Sequence, residues 1–489
     1  MHGPIDPVIS GIAQIANKDD ERIVHPLDLL EAAAREALAD AGLTVAELGG
    51  VFATPMSAFR TESTSRLVAE RIGAPDGLRD DSRYSGAAPQ RWLAAACRAV
   101  ADGTIGAALI VGGIADASVR RARLRGIEPP APPTSVWSQG SDGIDDEMLR
   151  RRDYRMGHLP EAAAGAAMPS AYFALVESSL AGGADPTAHR ERLGRLLAPF
   201  TAAAARRPAV AWFPHERTPA DIAAVSDGNR LIAEPYTKLM CSFPTVDLAA
   251  AVVITAAGRG SGRAVRPLSL TAAREPHSPS RRELLHRAPA LERAVGHAIK
   301  LANIGADDID RFDLYSCFPA AVQMASRAFG LTDDDPRPRS VAGGLAYFGG
   351  PGASYSLHGV VSMVEELRAN PGTVGAVVGL GGMVDDFSVG IYRTEGDGFA
   401  SVDLGTVEES TVEIAAQHHG RALVDAMTVL HDRDEGPVAA PVIARLPDGA
   451  RIGAIAADPA LPALLSGTSL VGREVTLTSR DGTAVYTPD

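Results

Sequence analysis

The chain has 489 residues, 46% of them hydrophobic, 22% charged and 5% aromatic, with a formal net charge of −13. That length supports more than one hydrophobic core, so two or three domains are expected. An acidic, aromatic-poor chain is a poor partner for nucleic acid, no apolar run reaches the ~18 residues of a membrane span, and three cysteines without CxxC spacing (Cys97, Cys241, Cys317) build neither a disulfide framework nor a zinc site.

Met1 to Asp20 lacks a basic stretch followed by an apolar run, so no secretory signal is expected and the compartment reads as the cytoplasm. Leu29 to Thr54 (LLEAAAREALADAGLTVAELGGVFAT) reads as an amphipathic helix, a turn and a strand. Ser82 to Val100 (SRYSGAAPQRWLAAACRAV) passes from a strand through a glycine turn into a helix, and Ala96 to Ala115 continues from that helix into a buried apolar strand and then glycines. Arg120 to Thr218, rich in Pro, Arg and Ala and carrying Pro129-Pro130 and Pro132-Pro133, interrupts the pattern and is expected to cap a site with loops and helices. From Asn229 the chain (LIAEPYTKLMCSFPTVDLAAAVVITAA) reads as a helix followed by a buried strand.

The same units then recur. Leu291 to Ser316 (LERAVGHAIKLANIGADDIDRFDLYS) repeats the helix–turn–strand of Leu29 to Thr54. Ala346 to Leu367 repeats the strand–turn–helix, and Val364 to Val384 repeats the helix end, buried strand and glycines. Two copies of a strand–helix–strand unit with buried strands predict an α/β fold with parallel strands. After Thr394 the texture becomes an alternation of apolar and polar residues: Val402–Thr411, Arg421–Asp432, Val438–Leu446, Arg451–Ala456 and Glu474–Tyr486. Turn signals at Asp434-Glu435-Gly436, Asp448-Gly449 and Asp481-Gly482 separate these runs, which predicts a small all-β barrel or sandwich. The expected domains are 1–260, with an insertion at about 120–218, then 261–395 and 396–489.

The stretches DLLEAAAREALADAG, NRLIAEPYTKLM, DLYSCFPAAVQ, GGLAYFGGPGASYSLHG and GGMVDDFSVGIYRTE, in this order and spacing, resemble the thiolase superfamily. More narrowly they resemble its sterol-carrier-protein-type, acetyl-CoA acetyltransferase-like members. The last segment resembles the extra OB-like domain of some of these proteins. The resemblance implies a duplicated fold of αβαβα layers, acyl-CoA thioester substrates and a site between the two halves. It also implies a dimer as the default state, with a monomer left open by the appended domain. No cofactor is implied beyond CoA as part of the substrate.

A working thiolase uses a nucleophilic Cys, a His in a GHP turn, an Asn or His, and a second Cys before the last glycines. Matched onto those positions, this chain has Ser85, Gly350, Tyr315 and Gly379. Cys97 lies too far past the nucleophile turn to replace the first Cys. Ser85 is either a nucleophile stabilised by helix N–H groups or a turn cap, and as a nucleophile it needs an adjacent base. His358, on the helix after GGPG with Tyr355 three positions earlier, is either a general base or a packed histidine. Tyr315, at a strand end in YSCF beside Cys317, is placed to donate a proton in an aldol-type cleavage. Gly86, Gly349, Gly350, Gly381 and Gly382 permit close backbone approach to a ligand, or simply make tight turns. Three readings follow: acyl transfer or hydrolysis through Ser85, retro-aldol cleavage of a CoA-thioester side chain through Tyr315, or acyl-CoA or lipid binding without catalysis.

Overall fold

Ala107–Ala115 is buried at every position and Asp247–Ala256 at all but its last, the pattern of strands covered on both faces. The computed structural model describes residues 6–56, 63–129, 160–260, 264–275 and 278–489. In it these two strands are central in a five-stranded sheet ordered Pro7–Ala16, Asp247–Ala256, Ala107–Ala115, Gly50–Ala53, Leu78–Asp81. The second copy of the repeat forms a matching sheet ordered Ala400–Thr406, Arg266–Arg274, Asp386–Arg393, Val374–Gly381, Arg311–Asp313. Within each copy the two repeat strands are parallel, Gly50–Ala53 to Ala107–Ala115 and Arg311–Asp313 to Val374–Gly381. The strand after each is antiparallel, so both sheets are mixed.

Two helices, Ala88–Ala101 and Tyr355–Ala369, fill the space between the sheets. Leu93 and Val100 of one and Leu357, Val360 and Val364 of the other share a core with Ile110 and Val252 of the first sheet and Leu270 and Val377 of the second. Pro26–Ala41 and Thr64–Ile72 cover the outside of the first sheet, and Pro289–Ala302 and Pro319–Ala328 the outside of the second. The result is a duplicated αβαβα body.

The outer helix Pro26–Ala41 shows how local sequence sets such an element. His25 Nδ1 accepts the Leu27 N–H at 3.1 Å, Pro26 opens the first turn, and Gly42 closes the helix at φ 67°. Leu27, Leu30, Ala34, Leu38 and Ala41 recur every three to four residues and are buried against the sheet. The helix lies so close to the first strand that a Cβ on Gly11 would sit 2.0 Å from the Ala37 carbonyl oxygen. Gly11→Ala is therefore expected to destabilise the fold by about 1–3 kcal/mol. Urea unfolding should show a lower midpoint at an unchanged m-value.

Three expectations change. Residues 231–240 are not a helix: Leu231–Ala233 and Tyr236–Thr237 form a short hairpin ahead of a 3-10 turn. Pro235 disfavours helical backbone at Glu234 and donates no N–H. No strand precedes the GGPG turn, because the Asp313 carboxylate accepts the N–H groups of Val341 (3.1 Å) and Ala342 (2.8 Å) and turns the chain away from the sheet. Ala400–Thr406 pairs in parallel with Arg266–Arg274 as an edge of the second sheet, so the run that begins at Val402 does not contribute a barrel strand.

The insertion contributes the helices Pro169–Ala181 and Pro186–Ala205, the short helix Pro219–Ala223 follows directly after it, and Pro130, Pro132 and Pro133 lie outside the described residues. The C-terminal segment closes into a five-stranded barrel ordered Gly420–Met427, Val442–Arg445, Arg451–Ala456, Thr483–Pro488, Glu474–Arg480. Val424, Val442, Ile452, Val475, Leu477 and Tyr486 fill it, and closure leaves no open sheet edge. Leu430–Asp432 pairs with Leu231–Ala233, joining the barrel to the body. Among the described residues no helix is long and apolar enough to cross a membrane, and no cluster of His, Cys, Asp and Glu is arranged to hold a metal ion.

Candidate active site

The turn at Ser85–Ala87 leads into the inter-sheet helix Ala88–Ala101. Ser85 Oγ accepts the Ala87 N–H at 3.2 Å and donates to Asp386 Oδ2 at 2.6 Å. Asp386 opens a strand of the other half, where its Oδ1 accepts Arg91 Nη2 at 2.6 Å and lies 3.5 Å from Arg274 Nε. The partner of Ser85 is thus a carboxylate held by two guanidinium groups rather than an imidazole.

Glycines bring the two halves together here. A Cβ on Gly381 would lie 2.0 Å from Ser85 Oγ, and one on Gly379 2.7 Å from the Gly86 carbonyl oxygen. A Cβ on Gly86 would meet the Tyr315 hydroxyl at 2.5 Å and the Leu380 carbonyl oxygen at 2.3 Å. Gly382, at φ 64°, carries the chain round to Asp385, which accepts the Met383 N–H. Ser85, Gly86, Tyr315, Gly381 and Gly382 are therefore one cluster.

Tyr315 follows the short strand Arg311–Asp313. Its ring meets Tyr355 edge-on, at 5.5 Å between centroids and 87° between planes. Tyr355 is fixed in turn, because its hydroxyl donates to Asp313 Oδ1 at 3.2 Å and accepts the Gly344 N–H at 3.0 Å. Burial pushes the Tyr315 phenol well above its usual pKa, with Cys317, Tyr84 and Tyr172 adding in the same direction, so it holds its proton across the physiological range. Among the described residues neither the Tyr315 hydroxyl nor the Gly86 N–H makes a hydrogen bond, and the Gly86 nitrogen faces Gly381, 3.0 Å from where a Cβ on that residue would sit. Buried N–H groups are nearly always paired. A donor left unpaired in such a cluster is a place for a ligand oxygen.

The other sequence candidates lie elsewhere or are differently occupied. His358 is fully buried, with Nδ1 2.9 Å from Gln14 Oε1, Nε2 without a partner, and its ring 5.2 Å from Phe348; burial holds its pKa down at about 3. Gly349 and Gly350 pack against the segment 242–248, where a Cβ on Gly350 would lie 2.3 Å from Ser242 Oγ. Cys317 and Cys97 are buried thiols pushed up by desolvation, and Cys241 is pushed up to about 12, so none of the three is poised as a thiolate. Sequence reasoning missed Asp386 and Arg91. Asp386 belongs to the acid pair two residues past the last glycines and Arg91 lies one turn into the helix, but neither position is marked locally and only the fold joins them.

Residues 405–483 match the family model described as the thiolase-like protein type 1 additional C-terminal domain. Along the whole length of both chains, the structure is similar to a monomeric SCP2-thiolase-like protein type 1 from Mycobacterium smegmatis, at 26% identity and a TM-score of 0.81. The chain has a thiolase-like fold. The same likeness extends to the Ltp2–ChsH2(DUF35) aldolase (19% identity, 80% of this chain and 98% of that one, TM-score 0.60). It extends as well to an acetyl-CoA acetyltransferase from Syntrophomonas wolfei (15% identity, 80% of this chain and 100% of that one, TM-score 0.52). No curated protein matches. In this thiolase-like chain the shared fold covers the duplicated body, and the matched additional domain is the closed barrel.

Proposed function

We propose that the protein binds acyl-CoA thioesters at the Ser85–Gly86 turn and processes them through Tyr315, by retro-aldol cleavage beside the thioester rather than through an acyl-enzyme. The observation that carries this reading is the Tyr315 hydroxyl, unpaired among the described residues and packed against Gly86, next to a Ser85 whose hydroxyl is already committed to Asp386. In such a cleavage the Cα–Cβ bond of a β-hydroxyacyl thioester breaks and its electrons move onto the thioester as an enolate. The enolate oxygen is stabilised by the Gly86 N–H, and Tyr315 gives its proton to the enolate carbon, which completes the acyl product. The β-hydroxyl proton passes through Ser85 to Asp386 as the new carbonyl forms, and after product release Asp386 loses it to solvent while solvent returns a proton to Tyr315. CoA enters as part of the substrate, no further cofactor is invoked, and a monomer is the proposed state, as for the full-length relative.

The second reading, acyl transfer through Ser85, draws on the 2.6 Å contact of its hydroxyl with a carboxylate. Among the described residues no histidine hydrogen-bonds to Ser85, so the serine lacks the usual base of an acyl-enzyme mechanism, which is why this reading stands second. Intact mass and product analysis over a panel of acyl-CoAs and β-hydroxyacyl-CoAs, for wild type, Ser85→Ala and Tyr315→Phe, tests both. Carbon–carbon cleavage lost in Tyr315→Phe, without a covalent adduct, is the expected result. A mass gain with CoA release, absent in Ser85→Ala, would replace it with acyl transfer. Binding without turnover would reduce the function to a thioester-binding one.

A further inference from the structure

The helix Pro186–Ala205 carries Arg192 and Arg195 on one side, facing the last turn of Pro319–Ala328, which bears Arg327. Between them opens a cleft of about 580 Å³, with Arg339 on its wall. Asp333 is the one acidic side chain lining it, so four guanidinium groups face one carboxylate in a chain whose overall charge is −13. A concave surface of one sign on a protein of the other concentrates counter-charged ligands.

The floor of the cleft is rigid. The buried Glu177 carboxylate lies 2.8 Å from His189 Nε2, accepts Gln323 Nε2 at 2.7 Å, and on its other oxygen accepts the Tyr236 hydroxyl at 2.9 Å. Arg192 is oriented by Asp333 at 3.0 Å and by the Gln323 side-chain oxygen, and Arg339 by Ser326 Oγ at 3.3 Å and the Thr332 carbonyl. The side chains of Arg195 and Arg327, by contrast, make no hydrogen bond or ion pair among the described residues. Leu180, Leu196 and Leu331 supply an apolar side to the same cleft.

We infer that this cleft binds a phosphorylated small molecule, its phosphate groups on Arg192, Arg195, Arg327 and Arg339 and its carbon skeleton against the leucines. A single carboxylate satisfies one guanidinium fork, whereas a phosphate or pyrophosphate presents enough acceptor oxygens for several. The volume lies within the range of small-ligand sites. The helix links the cleft to the candidate active site: Arg327 lies nine residues beyond Phe318, about 14 Å along the axis at ~1.5 Å per residue. The inference stands apart from the reading of the Ser85–Tyr315 cluster, since phosphate binding needs no thioester chemistry.

Calorimetric titration of the full-length protein with inorganic pyrophosphate, at low and at raised salt, tests it. Saturable binding with one site per chain is expected, weakened at least tenfold by Arg195→Glu combined with Arg327→Glu and weakened by salt. Both positions are exposed, and the melting temperature of the double variant checks that it remains folded. Absence of saturable binding, or equal binding by a folded double variant, would overturn the inference. Displacement of pyrophosphate by CoA would identify the substrate's own phosphates as the ligand. Persistence of pyrophosphate binding under excess CoA would point to a free phosphorylated metabolite. Either result supports the cleft as a phosphate site.

Discussion

Arg451→Ala is expected to detach the barrel from the body and lower its stability by about 3–5 kcal/mol, the cost of breaking a buried ion pair from one side. Arg451 stands on a barrel strand yet is 1% exposed, because its guanidinium reaches across to the body. Its Nε donates to Asp425 at 2.7 Å within the barrel. The two terminal nitrogens donate to backbone carbonyls of the body, at Ser280 (3.1 Å), Arg282 and Glu283 (3.0 Å). Truncation leaves those carbonyls buried without a donor, and Asp425 with Arg445 alone. The segment it grips also matters to the candidate site: Arg282 donates to the Val384 carbonyl, just past the Gly381–Gly382 turn. Calorimetry of the variant should therefore resolve a separate, earlier barrel transition, and acyl-CoA binding should weaken with it. A single transition at the wild-type temperature would show that the barrel is held by other contacts.

The second large effect is on acid stability, through His358. Burial holds its folded-state pKa at about 3, against an ordinary value of 6.5, and among the described residues its Nε2 has no hydrogen-bond partner. Its neutral form is thus built into the fold. Above pH 6.5 neither the folded nor the unfolded chain protonates it, and its contribution is fully present. As the pH falls below 6.5 the unfolded chain gains a proton that the folded chain refuses, and stability drops by about 1.4 kcal/mol per pH unit. Between pH 6.5 and 4.5 this removes about 2–3 kcal/mol, before most carboxylates titrate. His25, held down at about 4 chiefly by burial, acts with the same sign. Urea titrations across this window should show His358→Gln losing roughly one proton's worth of slope, with His25 and His286, both held down chiefly by burial, contributing to the remainder. An unchanged slope in a folded variant would mean that His358 charges without cost.

Much of the fold is legible in the residues because burial repeats at the periods of helix and strand. The stripe Leu27, Leu30, Ala34, Leu38, Ala41 and the unbroken apolar run Leu248–Ile254 each report a local geometry with its covering surface. The candidate site is less legible, because its contacts are long-range. Ser85 meets Asp386 across 301 positions, and Gly86 meets the Tyr315 hydroxyl because the two sheets sandwich both central helices. Tyr315 and the glycines stand out as residue types at strand ends. The carboxylate facing Ser85 does not, since an aspartate after a glycine turn reads equally well as a turn residue.

By itself, then, the amino-acid sequence determined the duplicated α/β body, the appended β barrel and the residue types at the turns, all of which follow from short-range periodicity and turn chemistry. Only the tertiary structure decided the rest. It assigned Ala400–Thr406 to the second sheet rather than to the barrel, paired Ser85 with Asp386, sealed His358 against Gln14, and gathered four arginines into one cleft. Strand pairing, burial of a titratable group and clustering of charge depend on which surfaces the whole chain brings together, and residues hundreds of positions apart carry no local mark of that encounter.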